Sequence, residues 1–265
     1  MKYIFSTGCL YHLPIEEIFL LAREGGFDGC ELVIDQRFMN DGYLDRVQGC
    51  LDILPVHTIH APFLKMKKWG TKVIELKNTI DIARVLDAKV INFHPPAWLA
   101  FEFNFHKWLL KIQDFQEELD CGEMALTIEN MPRAGKHLML TSYFLNELDD
   151  LIAFGIAHNL YFTFDTTHLA TFNTDIVASF IKIFRTGRVK NVHLSDFGNH
   201  ESHLFLGRGE LPIVKFLNTM YRLGYEEAIT FEVSPRELPK TRSWIVKLIK
   251  YQLALLKLHT GAGQA

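Results

Sequence analysis

Eight short β-rich runs alternate with eight longer stretches of helical periodicity, and this alternation restricts the fold more than any other feature of the chain. The strand candidates are Tyr3–Gly8, Gly29–Ile34, Val56–His60, Ala88–His94, Ala125–Glu129, Tyr161–Asp165, Val189–Leu194 and Ala228–Val233. Several, such as Val90-Ile91-Asn92-Phe93 and Tyr161-Phe162-Thr163-Phe164, are nearly continuous apolar runs. A strand reads this way when both of its faces are covered, as in a parallel sheet flanked by helices. The helical candidates are Pro14–Arg23, Asp41–Leu54, Thr71–Leu86, Asn104–Asp120, Ser142–Phe154, Thr174–Arg185, Leu211–Leu223 and Thr241–Leu258. Pro14 in the first turn and Gly25-Gly26 after the last bracket the first of them.

Eight successive strand–helix units predict a closed (β/α)₈ barrel, the TIM-barrel architecture of the α/β class, over an open sheet. The 265 residues suit it, since such a barrel closes at typically ~250. No linker, low-complexity stretch or shift of composition divides the chain. The expectation is a single domain over residues 1–259 with a short tail at 260–265.

A hydrophobic share of 48% and a charged share of 22% are ordinary for a globular protein. The net charge of −3 argues against a broadly basic nucleic-acid surface and leaves only a local one open. Cys9, Cys30, Cys50 and Cys121 form no CxxC pair, so reduced thiols in a cytoplasmic protein are expected. No stretch approaches the ~20 apolar residues of a membrane span, and the first residues lack the pattern of a signal peptide.

The chemistry is written at the strand ends. His60 closes Thr58-Ile59-His60, His94 closes Asn92-Phe93-His94, and Glu129 closes Thr127-Ile128-Glu129. Asp165 closes Thr163-Phe164-Asp165, with His168 one helical turn later; His193 and Glu232 lie near the ends of the next two strands. In a barrel all strand C-termini open on one mouth, so these side chains face one another there. Carboxylates crowded out of water repel one another and pay a desolvation penalty. A divalent cation reverses both effects. Mixed nitrogen and oxygen donors suit Zn, Mn, Fe or Co better than Ca. Taken singly, a strand-end His is usually a hydrogen-bonded core residue, and a Glu after an apolar run often caps the next helix. Six consecutive strands ending this way favour one shared metal site, with Glu129, Asp165, His193 and Glu232 around a central ion.

The set resembles the xylose-isomerase-like barrels, which include sugar isomerases and epimerases and the endonuclease IV DNA-repair enzymes. The resemblance runs from about Tyr3 to Pro235. It is most specific in Ile128-Glu129-Asn130, Phe164-Asp165-Thr166-Thr167-His168, Val192-His193-Leu194-Ser195-Asp196 and His203-Leu204-Phe205-Leu206-Gly207-Arg208-Gly209. It implies that Glu129, Asp165, His193 and Glu232 bind one central divalent ion (Mn, Mg, Co or Zn). Endonuclease IV holds three zinc ions, and its further ligands correspond to His60, His94, His168, Glu201 and His203, with Glu201 standing where that enzyme has Asp. Up to three ions are therefore compatible with this chain. The family's Gly-Glu-Gly loop reads Gly207-Arg208-Gly209 here, a departure that puts the role of that Glu in doubt.

Two activities follow from the resemblance. A sugar or sugar-phosphate isomerase or epimerase would use Glu129 and Glu232 as the catalytic acid–base pair beside a metal-stabilised enediolate. Arg208 is the substrate-binding candidate, with Arg133, Lys65 and His203 as further loop residues and Trp69, Phe63 and Trp98 as apolar walls. A zinc-dependent endonuclease acting at abasic DNA would draw backbone contacts from Lys65, Lys67, Lys68 and Lys72, a run that reads equally as a solvated helix start. A metal-stabilised binding protein without turnover is the third class. The partner expected is a small sugar, DNA only under the nuclease reading, and no membrane; relatives of this kind often form homo-oligomers.

Overall fold

The computed structural model describes residues 1–133 and 142–261. In chain order the strands are β1 (Lys2–Ser6), β2 (Gly29–Val33), β3 (Val56–His60), β4 (Val90–Phe93), β5 (Ala125–Glu129), β6 (Tyr161–Asp165), β7 (Val189–Leu194), β8 (Asp196–Gly198), β9 (Glu201–Leu204) and β10 (Ala228–Phe231). Eight of them close a parallel barrel in the order β1-β10-β7-β6-β5-β4-β3-β2, as the alternation of the sequence predicts. Closure is made by β10 returning to β1, with Lys2 beside Ala228 and Phe5 beside Phe231. The expected bounds of β3, β5, β6 and β7 coincide with those observed.

Successive side chains of a strand point to opposite faces. One set here is apolar: Phe5, Ile59, Ile91, Leu126, Phe162, Val192 and Phe231 are buried in the layer between barrel and helices. The other set is polar, and it fills the barrel. Thr58 and Asn191 donate to Glu31 Oε2 at 3.2 and 3.5 Å, Thr230 donates to Asn191 at 2.9 Å, and Thr127 meets Thr163 at 2.8 Å. Asn92 donates to Glu129 Oε2. Bonds between strands as distant as β2 and β7 show that these groups meet in the interior. A buried polar layer satisfies its hydrogen bonds in this way.

Three helical expectations are corrected. The helix expected over Asn104–Asp120 is two, Phe103–Leu109 and Phe115–Glu118. The break follows from Asp114, whose side chain caps the second helix through Glu117 N, and from His158, which ties down the Ile112 carbonyl and accepts from Phe115 N. The helix expected from Ser142 begins at Leu148, after Leu145 at a positive φ of 58°, and runs to Ala157. The helix expected over Asp41–Leu54 is α-helical only over Tyr43–Gly49 and then tightens to a 3₁₀ turn at Cys50–Asp52. The β8–β9 hairpin is an additional element between β7 and β10.

Thr260, expected in the tail, is buried: its hydroxyl bonds the Leu256 carbonyl at 2.8 Å and meets the Tyr3 hydroxyl. The rest of that tail, 262–265, lies outside the described residues. Among the described residues no helix is long and apolar enough to cross a membrane, and the four cysteines are free and buried.

Candidate metal centre

Each residue of the expected quartet is delivered by the end of a different barrel strand. Glu129 ends β5 and Asp165 ends β6; His193 is the penultimate residue of β7, and Glu232 follows β10. Local chemistry fixes the first two. The Asn130 side chain accepts from Asp165 N at 2.8 Å and donates to Asp165 O at 2.9 Å, prolonging the β5–β6 pairing by one rung. Asp165 Oδ1 caps the helix Thr166–Ala170, accepting from His168 N at 2.6 Å and Thr167 Oγ1 at 3.0 Å. That leaves Oδ2 free to face the mouth.

The free atoms converge. His193 Nδ1 lies 2.9 Å from Glu232 Oε2, 3.4 Å from Glu129 Oε1 and 3.9 Å from Asp165 Oδ2. Glu129 Oε1, Asp165 Oδ2 and His193 Nδ1 are all fully buried and make no well-aligned hydrogen bond, although imidazole nitrogens stand within 3.0–3.4 Å of Glu129 Oε1. Such a group costs about 1–3 kcal/mol per atom if left unsatisfied, more when charged. A divalent cation at their common focus satisfies all three, and these ligand atoms lie within 4.8 Å of one another. The donor set therefore fits a metal.

Four of the five residues expected around the quartet join it. His60 Nε2 and His94 Nε2 each stand 3.4 Å from Glu129 Oε2, and His168 Nδ1 stands 3.0 Å from Glu129 Oε1. His203 closes the arc edge-on to His168, ring centroids 5.3 Å apart, with its Nδ1 3.3 Å from Ser195 Oγ. It is held at a φ of +57°, a conformation that costs a non-glycine residue free energy. Two further clusters with ligand spacing result from this outer ring, His60–His94–Glu129 and Asp165–His168–His203, and a third joins Glu31 to His193 and Glu232. Glu201 is exposed in β9; it lines the cavity but belongs to none of these clusters.

Electrostatics reflects this crowding. Burial works against ionisation of Glu129, but His193 and His94 outweigh it and hold the carboxyl well below its usual range. Glu232 is lowered likewise: burial opposes, while His193 and His203 prevail. Burial disfavours the His168 cation, yet Asp165 and Glu129 raise its pKa to about 9. His193, opposed by burial, is carried well above the ordinary value by Glu31, Glu129 and Glu232. Burial, aided by the neighbouring His60 and His168, outweighs Glu129 at His94 and pushes it down to about 4. The centre demands positive charge, which imidazolium protons or a metal ion supplies.

The mouth opens into a cavity of about 510 Å³, lined among others by His60, Phe63, His203, Glu232, Arg236 and Glu237. Glu232, 22% exposed, is the member of the quartet that reaches it. Arg208 does not line it; its guanidinium, 59% exposed, pairs with both carboxylate oxygens of Glu237 at 2.6 and 2.8 Å. Arg133 pairs with Glu147, and Lys72 is engaged by Glu75 and the Pro62 carbonyl, which removes it from the basic run. Glu31 is a further polar residue at the centre that no strand-end pattern marks. It is a fully buried carboxylate in mid-strand whose Oε2 accepts from His193 Nε2 at 2.8 Å. A lone acid inside an otherwise apolar strand was the available signal, since buried carboxylates need partners.

Residues 19–252 match the family of xylose isomerase-like TIM barrels, and the chain belongs to that family. A curated relative, an uncharacterized protein of Mycobacterium leprae, is 24% identical over 88% of this chain and 89% of its own length. Among solved structures, a D-tagatose 3-epimerase-like protein superposes with a TM-score of 0.71 at 20% identity, covering both chains fully. The D-allulose 3-epimerase of Methylomonas sp., solved with D-allulose, gives 0.68 at 15% identity over 98% and 97%. An IOLI protein with a bound zinc atom gives 0.72 at 14% identity over 98% and 99%. At these identities the likeness is one of fold.

Proposed function

We propose that this xylose isomerase-like barrel is a metal-dependent isomerase or epimerase of a sugar or sugar phosphate. The observation that carries the reading is the focus of buried atoms without a well-aligned hydrogen bond, Glu129 Oε1, Asp165 Oδ2 and His193 Nδ1, beside Glu232 on the floor of a cavity. That cavity is of a volume suited to one small molecule. Epimerase neighbours, one of them solved with a ketose, support the substrate class, and a neighbour solved with zinc supports the metal.

Glu129, Asp165, His193 and Glu232 would hold a divalent ion, Mn, Mg, Co or Zn. Such an ion supplies electrophilic stabilisation of the oxyanion that develops when a proton leaves the carbon beside a carbonyl. The chain's own residues do the rest. Epimerisation removes a proton from one face of a carbon and returns one to the other, so it needs two groups on either side of the substrate. The carboxylate of Glu232, which lines the cavity, would take the proton in one direction. Glu129, three strands away around the barrel and buried beneath the cavity, would serve the opposite face of a substrate that reaches down to the ion site. Asn92 and the imidazoles of His60 and His94 hold Glu129 Oε2, which leaves Oε1 toward the ion site. Phe63 forms an apolar wall of the cavity.

The test is isotopic. Candidate ketoses and aldoses incubated in deuterated water with the metal-loaded protein should acquire deuterium beside the carbonyl, and Glu232→Gln should abolish it. Exchange that survives Glu232→Gln removes the two-carboxylate mechanism.

A second reading, a zinc-dependent nuclease at abasic DNA, draws support from the two additional ligand clusters around the quartet. The engagement of Lys72 by Glu75 weakens its DNA contacts. Nicking of an abasic duplex by the zinc-loaded protein would establish it.

A further inference from the structure

Glu31 lies outside the quartet, beneath it on β2, and takes no part in the chemistry described above. Its carboxylate is fully buried in the middle of a barrel strand. Burying an ionised carboxylate is costly unless its hydrogen bonds are made. Here Oε2 gathers three neighbours, Thr58 Oγ1 at 3.2 Å, Asn191 Nδ2 at 3.5 Å and His193 Nε2 at 2.8 Å, whereas the buried Oε1 has none. Asn191 is itself oriented by Thr230, which donates to its Oδ1 at 2.9 Å. The anchor therefore draws on four strands, β2, β3, β7 and β10.

The consequence falls on His193. Its ring stands between Glu31 and the quartet, with Nε2 toward Glu31 Oε2 and Nδ1 toward Glu129, Asp165 and Glu232. A carboxylate can only accept, so Nε2 must carry the hydrogen. The lone pair of the neutral ring is then on Nδ1, aimed at the ion site. A histidine ligand whose far nitrogen donates to a carboxylate is fixed in tautomer and orientation, and is a stronger donor to a metal.

We infer that Glu31 is a positioning residue for metal binding, holding His193 in the Nε2–H tautomer with Nδ1 presented to the ion, on a hydrogen-bonded platform formed by Thr58, Asn191 and Thr230. This rests on the metal-centre reading above. Glu31→Gln is nearly isosteric but can direct an amide N–H at Nε2, which favours the wrong tautomer. Loss of such a partner weakens metal affinity by about 10–100-fold.

The experiment titrates metal-free wild type and Glu31→Gln with Co²⁺, reading both affinity and visible absorption. The expected result is stoichiometric binding by both, a 10–100-fold weaker affinity in Glu31→Gln, and unchanged band positions because the ligands are the same. Equal affinities overturn the inference and leave the metal centre standing. Shifted bands overturn it as well, because they make Glu31 a ligand. No uptake by the wild type overturns the metal centre and the inference together. Should Glu31→Gln fail to fold, ¹⁵N spectra of the zinc-loaded wild type decide: a hydrogen on Nε2 of His193 is expected, and a hydrogen on Nδ1 with zinc at Nε2 refutes the role.

Discussion

Asp196→Asn is expected to destabilise the protein by about 4 kcal/mol, because one buried carboxylate organises the loop that follows the β8–β9 hairpin. Asp196 Oδ1 accepts from Phe197 N at 2.8 Å and Leu211 N at 3.1 Å, while Oδ2 accepts from Gly207 N at 2.9 Å and Gly209 N at 3.0 Å. Hydrogen bonds to a charged acceptor contribute about 1.5–3 kcal/mol each and neutral ones about 0.5–1.5. Asparagine keeps one oxygen, so two bonds survive in weakened form at a loss of about 2 kcal/mol in all. The other two amides then face an NH₂ group instead of an acceptor. Gly207 is exposed and water replaces its partner, whereas Gly209 is half-buried, so this pair costs a further ~2 kcal/mol. Flipping the amide exchanges the two pairs without rescuing both. Urea unfolding at constant m-value reads the change as a lower midpoint, and amide hydrogen exchange reads it locally as lost protection at Gly207 and Gly209. A loss below about 1 kcal/mol, or full protection of those amides in the variant, refutes the assignment of Asp196 as the organiser of this loop.

Four other outcomes follow from the same structure. Gly209→Ala should destabilise by more than ~2 kcal/mol in urea unfolding, because a Cβ there would sit 2.5 Å from the Phe197 carbonyl oxygen; Gly49→Ala, in helical conformation with nothing within 4 Å, should be neutral or stabilising by up to ~1 kcal/mol. Arg208→Ala should change stability by no more than ~1 kcal/mol, as expected of a largely exposed pair, and should alter KM by less than about threefold if its partner is Glu237 rather than substrate; a tenfold rise in KM with kcat unchanged would restore it as a binding residue. Metal removal by a chelator should lower the thermal midpoint, and saturating metal should restore it, since an ion at 100 times its Kd adds about 2.7 kcal/mol to the folded state; an unchanged midpoint would argue against a native-state site. Glu129→Gln should abolish deuterium exchange while the protein stays folded, the distinguishing readout being circular dichroism alongside the isotope assay.

The barrel was legible because its determinants are local. Buried parallel strands need apolar, β-branched and aromatic runs, and the helices between them need apolar residues at helical spacing. The expected limits of β5 and β6 match the observed ones because Glu129 and Asp165 end apolar runs abruptly. The convergence of Glu129, Asp165, His193 and Glu232 was legible for a related reason: in this topology strand ends share one mouth. Other features depend on contacts far apart in the chain. The break between Leu109 and Phe115 is made by His158, beyond the reach of a local pattern. Glu31 stands in mid-strand, and only the closure of the barrel brings it to His193 across 162 positions. The polar interior of Thr58, Asn92, Thr127, Thr163, Asn191 and Thr230 lies at alternate strand positions, where the neighbouring outward apolar residues mask it. The departure of Arg208 toward Glu237 is decided by loop geometry, which composition does not encode.

The central claim is that Glu129, Asp165, His193 and Glu232 surround a divalent ion. Elemental analysis of protein purified without chelator, beside the Asp165→Asn variant, tests it most directly, because Asp165 keeps its helix cap through Oδ1 and can give only Oδ2 to a metal. The account predicts at least one equivalent of Mn, Co, Fe, Zn or Mg per wild-type chain and well under half an equivalent in the variant, both folded. A wild type that holds no stoichiometric divalent metal and takes up none when it is supplied would contradict it.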